Sequence, residues 1–512
     1  MHILTLVGLA GCGLIACFLL TLYRHLTSPL RSIPGPFLAR FTDLWYLFQV
    51  HRGHFNLVNQ KLHEKYGPIV RYGPNRYSFA TLDAGKSIYG HGTSFAKSSW
   101  YEAWTKPGQW TLFADQDIKR HAANRRLFQN TYSMSSLVTY EPYVDDCTDV
   151  FSTRLVEMAR GDVKVDMGHW MQCYAFDVIG SITYSKRLGF LDRGFDIGGI
   201  IQALEKFLRY SSCTGVYSFL HPYLFALKSY MAGSKGVARA YIQNYTQQCM
   251  NEHRTEPKAM NADGDEEKAN TPGKATDFLT KFFSQHTRDP DKFTVYHIMA
   301  GCSHNMAAGS DTTAISLSAI LYFLLKNPQC LQRLREEISG MQAAGTISDK
   351  YVTFKESQEM PYFQAVIKEA LRLHPAAGLP LERVVPEGGV TVSGRFFPEG
   401  SIVAINCWVE HQNQTVFGSD SHEFRPERWL IDDTEKLGFM NRHWMPFGLG
   451  ARTCIGRHIS MLEISKLIPR LVRDFDFELS GGLARPESSW LTDSYWFVKP
   501  RDFFVNIKLR KW

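Results

Sequence analysis

A lone cysteine among small residues is the part of this sequence best suited to chemistry. Cys454 lies in the stretch Phe447-Gly448-Leu449-Gly450-Ala451-Arg452-Thr453-Cys454-Ile455-Gly456. Such a stretch leaves room for a flat ligand close to the backbone, and amide groups in the turn can hydrogen-bond a thiolate and keep it ionised. Arg452 can meet a carboxylate on the same ligand. By residue type alone, Cys454 can equally be a buried structural thiol, as most lone cysteines are.

The elements that must position this cysteine are mainly helical. Apolar residues recur every three or four positions over residues 151–158, 278–283, 298–325 and 331–338, which is typical of helices. Two hairpins are also predicted, one joining residues 69–72 to 77–80 and the other joining residues 390–392 to 401–403. The sequence therefore predicts a helical protein with small β-sheets.

The N-terminal segment predicts a membrane anchor. Residues 3–22 carry no charge, and twenty helical residues at about 1.5 Å each span roughly 30 Å, the thickness of the hydrocarbon core. Arg24 and Arg31 follow this segment, so the rest of the chain is expected on the cytosolic side. The alternative is a cleaved signal peptide, which the continuation of the apolar run to Leu22 disfavours.

A proline hinge separates the anchor from the rest of the chain. Ser32-Ile33-Pro34-Gly35-Pro36 contains two prolines that stop a helix. We therefore expect two parts, an anchor with its hinge over residues 1–32 and a single catalytic domain over residues 33–512.

Composition and charge exclude two classes of protein. With 44% hydrophobic and 21% charged residues, the 512-residue chain can build a full core and is not a disordered protein. Lys plus Arg (57) exceed Asp plus Glu (50) by 7 without forming a run, so nucleic acid is not an expected partner. The ten cysteines include no Cys-x-x-Cys pair, which favours a reducing compartment over a disulfide scaffold.

From about residue 33 onward, the sequence resembles the cytochrome P450 family. Four motifs carry the resemblance in the family's order: Ala308-Gly309-Ser310-Asp311-Thr312-Thr313, Glu369-Ala370-Leu371-Arg372, Phe424-Arg425-Pro426-Glu427-Arg428-Trp429 and the stretch around Cys454. The resemblance implies the cytochrome P450 fold, a helical haem-thiolate domain with small β-sheets. The predicted transmembrane helix and hinge are similar to those of its microsomal members.

The resemblance implies that the cofactor is haem b and that Cys454 is the axial ligand of its iron. A thiolate ligand pushes electron density toward bound oxygen and favours O–O cleavage. Phe447, Gly448 and Gly456 match defined positions of the family's cysteine signature and are expected to line the haem.

Four basic residues are implied partners of the two haem propionates. They are Arg452, Arg383, and the pair His121 and Arg125, which share one helical face. His121 departs from the tryptophan that is commoner in the family. Its role therefore stays open between a propionate partner and a polar helix residue.

Asp311 and Thr312 are implied catalytic residues in the long central helix. By the resemblance, Thr312 hydrogen-bonds dioxygen at the haem and Asp311 connects it to a proton source. Protonated O–O scission requires such an acid and alcohol. The alternative is that Thr312 only bonds back to the preceding helical turn, as helical threonines often do.

Glu369 and Arg372 fall on the same face of a helix, because they are three positions apart. With Arg428 they can form a charge network that braces the cysteine loop. The alternative is a solvated surface pair that contributes little to stability.

The resemblance implies a monooxygenase that inserts one oxygen atom of dioxygen into an apolar metabolite. Electrons are expected from NADPH through a separate cytochrome P450 reductase, since the chain carries no flavin or nicotinamide motif. Residues 376–380 carry no charge and are expected to line the pocket. Nearby aromatic side chains can either roof the pocket or belong to the core: Trp100, Tyr101, Trp104, Trp110 and Phe113.

Residues 394–400 and 416–420 resemble the filamentous-fungal branch that includes pisatin demethylase, which implies secondary-metabolite biosynthesis on polyketides, terpenoids or peptide-derived compounds. The expected location is the endoplasmic reticulum membrane, with a single span and a cytosolic catalytic domain. Two other functions use similar residues. One is a haem-thiolate isomerase or dehydratase, and the other is a haem-based sensor or binding protein.

Overall fold

The computed structural model of the chain describes Leu19, Leu22, Tyr23 and residues 26–232, 238–255, 276–348, 350–485 and 490–510. Apart from Leu19 and Leu22, the predicted span over residues 3–22 lies outside the described residues. The transmembrane helix and the domain boundary at residue 32 therefore stay predictions.

Helices dominate the described chain, as the apolar periodicity predicts. The α-helices are α1 (Leu44–His51), α2 (Phe55–Tyr66), α3 (Ala84–Tyr89), α4 (Ile118–Gln129), α5 (Met134–Val138), α6 (Glu141–Arg160), α7 (Met167–Tyr184), α8 (Phe190–Arg193), α9 (Ile200–Thr214), α10 (His221–Ala232), α11 (Ala238–Thr255), α12 (Phe278–Arg288), α13 (Val295–Lys326), α14 (Pro328–Ala343), α15 (Phe354–Gln358), α16 (Pro361–Leu373), α17 (Cys407–Glu410), α18 (Gln414–Phe417), α19 (Thr434–His443) and α20 (Arg457–Asp474). Short 3-10 turns lie at Leu38–Arg40, Ser99–Trp104, Ile197–Gly199, Gly215–Leu220, Pro426–Trp429, Gly450–Arg452 and Gly481–Ala484.

The long helix α13 runs through the middle of the core. A capping box between Thr294 and His297 begins it, satisfying backbone N–H groups that have no partner inside the helix. Gly309 lets α13 approach α7 closely, because a Cβ there would lie 3.1 Å from Ile179. In the described part of the chain, α13 is the one helix long and apolar enough to cross a membrane, but 72% of its apolar window is buried inside the protein. It is a core helix.

In the described part of the chain, the strands form four small sheets. They are β1 (Ile69–Gly73), β2 (Arg76–Phe79), β3 (Ala96–Lys97), β4 (Val165–Asp166), β5 (Arg383–Val384), β6 (Val390–Val392), β7 (Arg395–Phe397), β8 (Ile402–Ile405), β9 (Phe475–Leu479), β10 (Leu491–Tyr495), β11 (Phe497–Arg501) and β12 (Phe504–Leu509). The largest sheet has the order β1-β2-β8-β5-β3, the next has β4-β12-β9, and the pairs β6-β7 and β10-β11 are separate hairpins.

One of the two predicted hairpins forms, and the prediction of the other is wrong. Strands β1 and β2 pair antiparallel as predicted. Strand β6, however, pairs with β7 rather than with β8, because Ser393 and Gly394 both have positive φ and close a tight two-residue turn. Strand β8 instead joins the largest sheet, parallel to β2 and antiparallel to β5.

Candidate active site

The loop that carries Cys454 is held in one shape by its own backbone. The Cys454 amide donates to the carbonyl oxygen of Phe447 at 2.8 Å, and Gly448 and Gly450 have φ of +73° and +62°. A Cβ on Gly450 would lie 1.7 Å from the carbonyl oxygen of Tyr89. Both the conformation and the contact with α3 therefore require glycine at position 450.

The Cys454 side chain is accessible, unlike the other cysteines of the described chain, which are buried or half-buried. The protein around it nevertheless desolvates the thiol and raises its pKa, while the Gly456 amide and the charges of Arg125 and Arg457 oppose this shift. An accessible atom that is surrounded by protein lies in a recess. The thiol therefore lies in a recess, and the Gly456 amide and two arginines are close enough to stabilise a thiolate there.

Five basic side chains from distant parts of the chain converge near this loop. They are Lys97 of β3, His121 and Arg125 of α4, Arg383 of β5, and Arg452. Burial, followed by the charges of the other four basic groups, lowers the pKa of His121 to about 3. The structure thus brings together the four basic residues predicted from the sequence and adds Lys97.

Sequence reasoning missed Lys97, because no motif surrounds it. Strand pairing places it directly opposite Arg383. Its Nζ lies 4.2 Å from the ring centroids of both Tyr101 and Phe113 and donates to the Phe113 carbonyl oxygen. Burial, followed by the charges of Arg383 and Arg452, holds the pKa of Lys97 well below its usual range.

The described residues around this basic cluster neutralise it only in part. Burial and the nearby Arg383 lower the pKa of Arg452 to about 10. Its Nη1 donates to the Asp115 carbonyl oxygen at 2.8 Å, while Nη2 is buried without a partner among the described residues. The Asp115 carboxylate already pairs with Arg120 at 2.7 Å. Buried charges of one sign need a counter-charge, so the cluster suits an anionic ligand.

Thr312 lies on α13, where its hydroxyl donates to the Ala308 carbonyl oxygen at 2.7 Å. This is the backbone bond that the structural alternative expects. A hydroxyl that donates one hydrogen bond still has lone pairs that can accept another. Next to it, Thr313 lies 2.9 Å from the Ser460 hydroxyl and so joins α13 to α20, the helix that follows the cysteine loop.

Asp311 is buried, with 1% of its surface exposed. Its Oδ1 accepts from Gln172 of α7 and lies 3.4 Å from Nζ of Lys499 of β11, while Oδ2 has no partner among the described residues. Burial raises the pKa of Asp311, and the charge of Lys499 opposes this most strongly. Nothing in the sequence points to Lys499, which lies far along the chain from Asp311.

The Glu369 network is buried rather than a solvated surface pair. Arg372 donates to both Glu369 oxygens at 2.8 and 2.9 Å, and Arg428 donates to Oε1 at 3.2 Å. Trp429 Nε1 and the Arg425 amide also donate to the carboxylate. A buried network of this kind specifies the local structure only when each member has its hydrogen-bond partners. Both oxygens of the Glu369 carboxylate have such partners.

His411, which sequence reasoning also missed, connects this network to the cysteine loop. Its Nδ1 lies 2.9 Å from the Arg372 carbonyl oxygen, and its Nε2 lies 2.9 Å from the Met445 amide. Burial, together with the charge of Arg372, lowers the pKa of His411 to about 3. The ring is therefore neutral, donates from Nδ1 and accepts at Nε2.

A family model of cytochrome P450 matches residues 34–499. The chain belongs to the cytochrome P450 family. Pisatin demethylase of Fusarium vanettenii is 38% identical over 490 residues, 96% of this chain and 92% of that protein. A cytochrome P450 monooxygenase of Aspergillus terreus is 38% identical over 472 residues, 90% of this chain and 92% of its own length.

The comparison with solved structures also gives the cytochrome P450 fold. A crystal structure of a cytochrome P450 superposes with a TM-score of 0.74 at 19% identity, covering 93% of this chain and 98% of that one. The predicted family, its filamentous-fungal branch, the helical P450 fold and the enzyme class, cytochrome P450 monooxygenase, are confirmed.

The P450 family implies haem iron, and the residues of this chain fit that group. Cys454 offers an accessible thiol, Arg452 has a buried nitrogen without a partner among the described residues, and the described residues give the basic cluster only a partial counter-charge, from Asp115. The two propionates of haem would supply that charge. When bound, a haem with a thiolate ligand supplies dioxygen activation.

Replacing Lys97 with methionine should move two measurements in opposite directions. Without haem, the variant should unfold at the same or a higher temperature, because a buried cation crowded by other cations is removed. With haem, retention should weaken by about tenfold, equivalent to about 1.4 kcal/mol. Thermal unfolding of the haem-free protein and haem transfer to an acceptor protein measure the two effects.

Lys61→Met, which removes an exposed lysine of α2, is the matched control and should change neither measurement. Haem retention equal to wild type in Lys97→Met would show that Lys97 does not contact the propionates.

Proposed function

We propose that the protein is a membrane-bound haem monooxygenase that inserts one atom of dioxygen into an apolar secondary metabolite. The observation that carries this proposal is the buried Asp311 next to Thr312, on the helix that is joined through Thr313 to α20 behind Cys454. The fungal relatives named monooxygenases support it.

In this mechanism the side chains of Asp311 and Thr312 on α13 supply and hold protons for the reaction. The Thr312 hydroxyl donates its own hydrogen to the Ala308 carbonyl oxygen, so it accepts a hydrogen bond at Oγ1 and holds that proton next to the reacting oxygen. Asp311 takes up a proton from the solvent side and supplies it to the position held by Thr312. Each transfer needs a donor and an acceptor within hydrogen-bond reach, and Oδ2 of Asp311 has no competing partner in the described chain.

An apolar substrate is supported by the uncharged segment before β5. Leu379 is buried, and the Gly378 amide donates to the Trp496 carbonyl oxygen at 2.7 Å. Three of the aromatic residues considered as a roof, Trp100, Tyr101 and Trp104, are buried against Trp496 at the tip of the β10-β11 hairpin. These three aromatic residues therefore belong to the core. The proposal of an apolar substrate rests instead on the uncharged residues 376–380.

Electron delivery by an NADPH-dependent reductase is supported by the outer face of α4. Lys119, Arg120 and Arg126 are exposed there, and Arg457 at the start of α20 is exposed as well. The inner face of α4 carries His121 and Arg125 near the thiol. A basic surface one helix away from the cysteine suits an acidic partner, because complementary charge steers docking.

Membrane association is supported by two apolar surface segments that touch each other. The large exposed apolar side chains of these segments are Phe37, Leu38, Leu44, Phe48, Phe219, Leu220, Tyr223, Leu224, Leu227, Tyr230 and Met231. Thr42 Oγ1 lies 3.3 Å from the Tyr217 hydroxyl and joins the segments. An exposed apolar patch marks an interaction surface, and the first of its two segments, which includes Phe37 and Phe48, comes soon after the predicted membrane span in the chain.

Deleting residues 1–28 should release much of the protein from microsomal membranes and leave haem binding intact. The span supplies most of the membrane affinity, while the apolar patch should retain a fraction. Sedimentation of microsomes with immunodetection, together with the haem spectrum, measures both. The same deletion with Tyr230→Ser and Met231→Ser should release the remainder, and loss of haem on deletion alone would place the domain boundary elsewhere.

Reconstitution tests the proposed function directly. Metabolites that accumulate when the protein is removed from its host are isolated and incubated with the protein, a P450 reductase, NADPH and labelled dioxygen. One labelled oxygen atom in the product is expected. Product formed without NADPH would indicate an isomerase or dehydratase, and haem binding with no product from any accumulated metabolite would indicate a sensor.

A further inference from the structure

Lys499 stands between an exposed carboxylate and a buried one. Its Nζ lies 3.1 Å from Oε1 of Glu205 on α9 and 3.4 Å from Oδ1 of Asp311 on α13. The Glu205 side chain is 53% exposed, that of Lys499 19% and that of Asp311 1%. The three charged groups therefore form a line from solvent to the buried carboxylate.

Few groups face Asp311 from the elements packed around it. In the described chain they are Lys499 of β11, Glu205 of α9 and the neutral amide of Gln172 on α7. Burial disfavours the charged form of Asp311, and Glu205 adds repulsion. Lys499 is the one cation among them that stabilises the carboxylate.

This arrangement matters for a group that must take up and return protons. A proton shuttle works best when its pKa lies near the ambient pH, whereas a buried carboxyl without a cation stays protonated. Glu205 pairs with the same ammonium group and holds it across the gap between α9 and α13.

We propose that Lys499 is a positioning residue, held by Glu205, that keeps Asp311 charged and able to exchange protons with solvent. The proposal rests on the proposed monooxygenase function, because it assigns Asp311 a proton in each turnover. Lys499 lies outside every motif quoted above and is brought to Asp311 by the β10-β11 hairpin.

Infrared spectroscopy of the haem-loaded protein tests the charge of Asp311 without any substrate. A protonated buried carboxyl has its own carbonyl band, and Asp311→Asn identifies it by removing it. In Lys499→Met the midpoint for loss of this band should rise by at least about one pH unit relative to wild type. Lys499→Arg should restore the wild-type midpoint, and Glu205→Gln should shift it less than Lys499→Met.

Lys508→Met is the matched control, because it removes a lysine from a pair with Glu478 at the protein surface. It should leave the midpoint unchanged. A midpoint in Lys499→Met equal to that of this control would overturn the proposal, whatever the activity.

Turnover of the metabolite found by reconstitution tests the consequence. Lys499→Met should convert about fivefold less of the NADPH consumed into product at neutral pH. Product yield should recover as the pH rises through the higher Asp311 midpoint, because the charged form returns. Unchanged yield despite a shifted midpoint would overturn the proton-supply role, whereas no product from wild type with the expected infrared shift would refute the proposed function alone.

Discussion

Serine in place of Cys454 should abolish the red-shifted absorption band of the reduced, carbon-monoxide-bound protein. A thiolate opposite carbon monoxide produces that band, and a serine hydroxyl stays neutral and does not donate electron density in the same way. The loop itself should survive, because its shape depends on the Cys454 amide and on Gly450 rather than on sulfur. The difference spectrum of purified protein measures the effect, which should be a complete loss.

Cys213→Ser is the control for this experiment. Cys213 is half-buried on α9 and has no place in the proposed site, so its loss should leave the band at full height. A red-shifted band that persists in Cys454→Ser would assign the iron ligand to another residue.

Alanine in place of Thr312 should separate NADPH consumption from product formation. The hydroxyl makes one bond, to the Ala308 carbonyl oxygen of its own helix, so its removal should cost the fold little. Proton delivery should lose the hydroxyl that holds the proton beside the reacting oxygen. We therefore expect NADPH oxidation to continue while peroxide rises and product falls by about tenfold or more, the scale of a lost proton-transfer group.

Ser316→Ala provides a matched control on the same helix. Ser316 also donates to a backbone carbonyl one turn earlier, that of Thr312, at 3.0 Å. If loss of any such helical bond caused uncoupling, both variants would show it. Equal coupling in Thr312→Ala and wild type would refute the assigned role of Thr312 and favour its structural alternative.

The sequence could predict the family and the cysteine loop because their signals are local. Residues 447–456 contain the thiol, the arginine and the glycines in one run. Gly448 and Gly450 can adopt positive φ because they are glycines, and this can be seen from the run of sequence itself. The helical period of residues 298–325 likewise lies within one element and predicted α13.

Strand pairing was harder to predict because its partners are distant or alternative. Residues 401–403 include the β-branched Ile402 and Val403, which favour a strand, but the turn at Ser393 and Gly394 gives β6 a closer partner. Strand β8 then pairs with β2, far along the chain. Register of this kind is set by which neighbour is available in space and not by the pattern of one strand.

Sequence alone therefore determined the cytochrome P450 family, and it predicted the cysteine, the acid and alcohol of α13 and four of the five clustered basic residues. Only the tertiary structure decided that Lys97 faces Arg383, that His411 ties the Glu369 network to the cysteine loop, and that Lys499 meets Asp311. The physical reason is that a sequence motif contains groups that lie close together along the chain, within one turn or helix. Buried charges are instead stabilised by whichever group the fold brings within a few ångströms, regardless of distance along the chain.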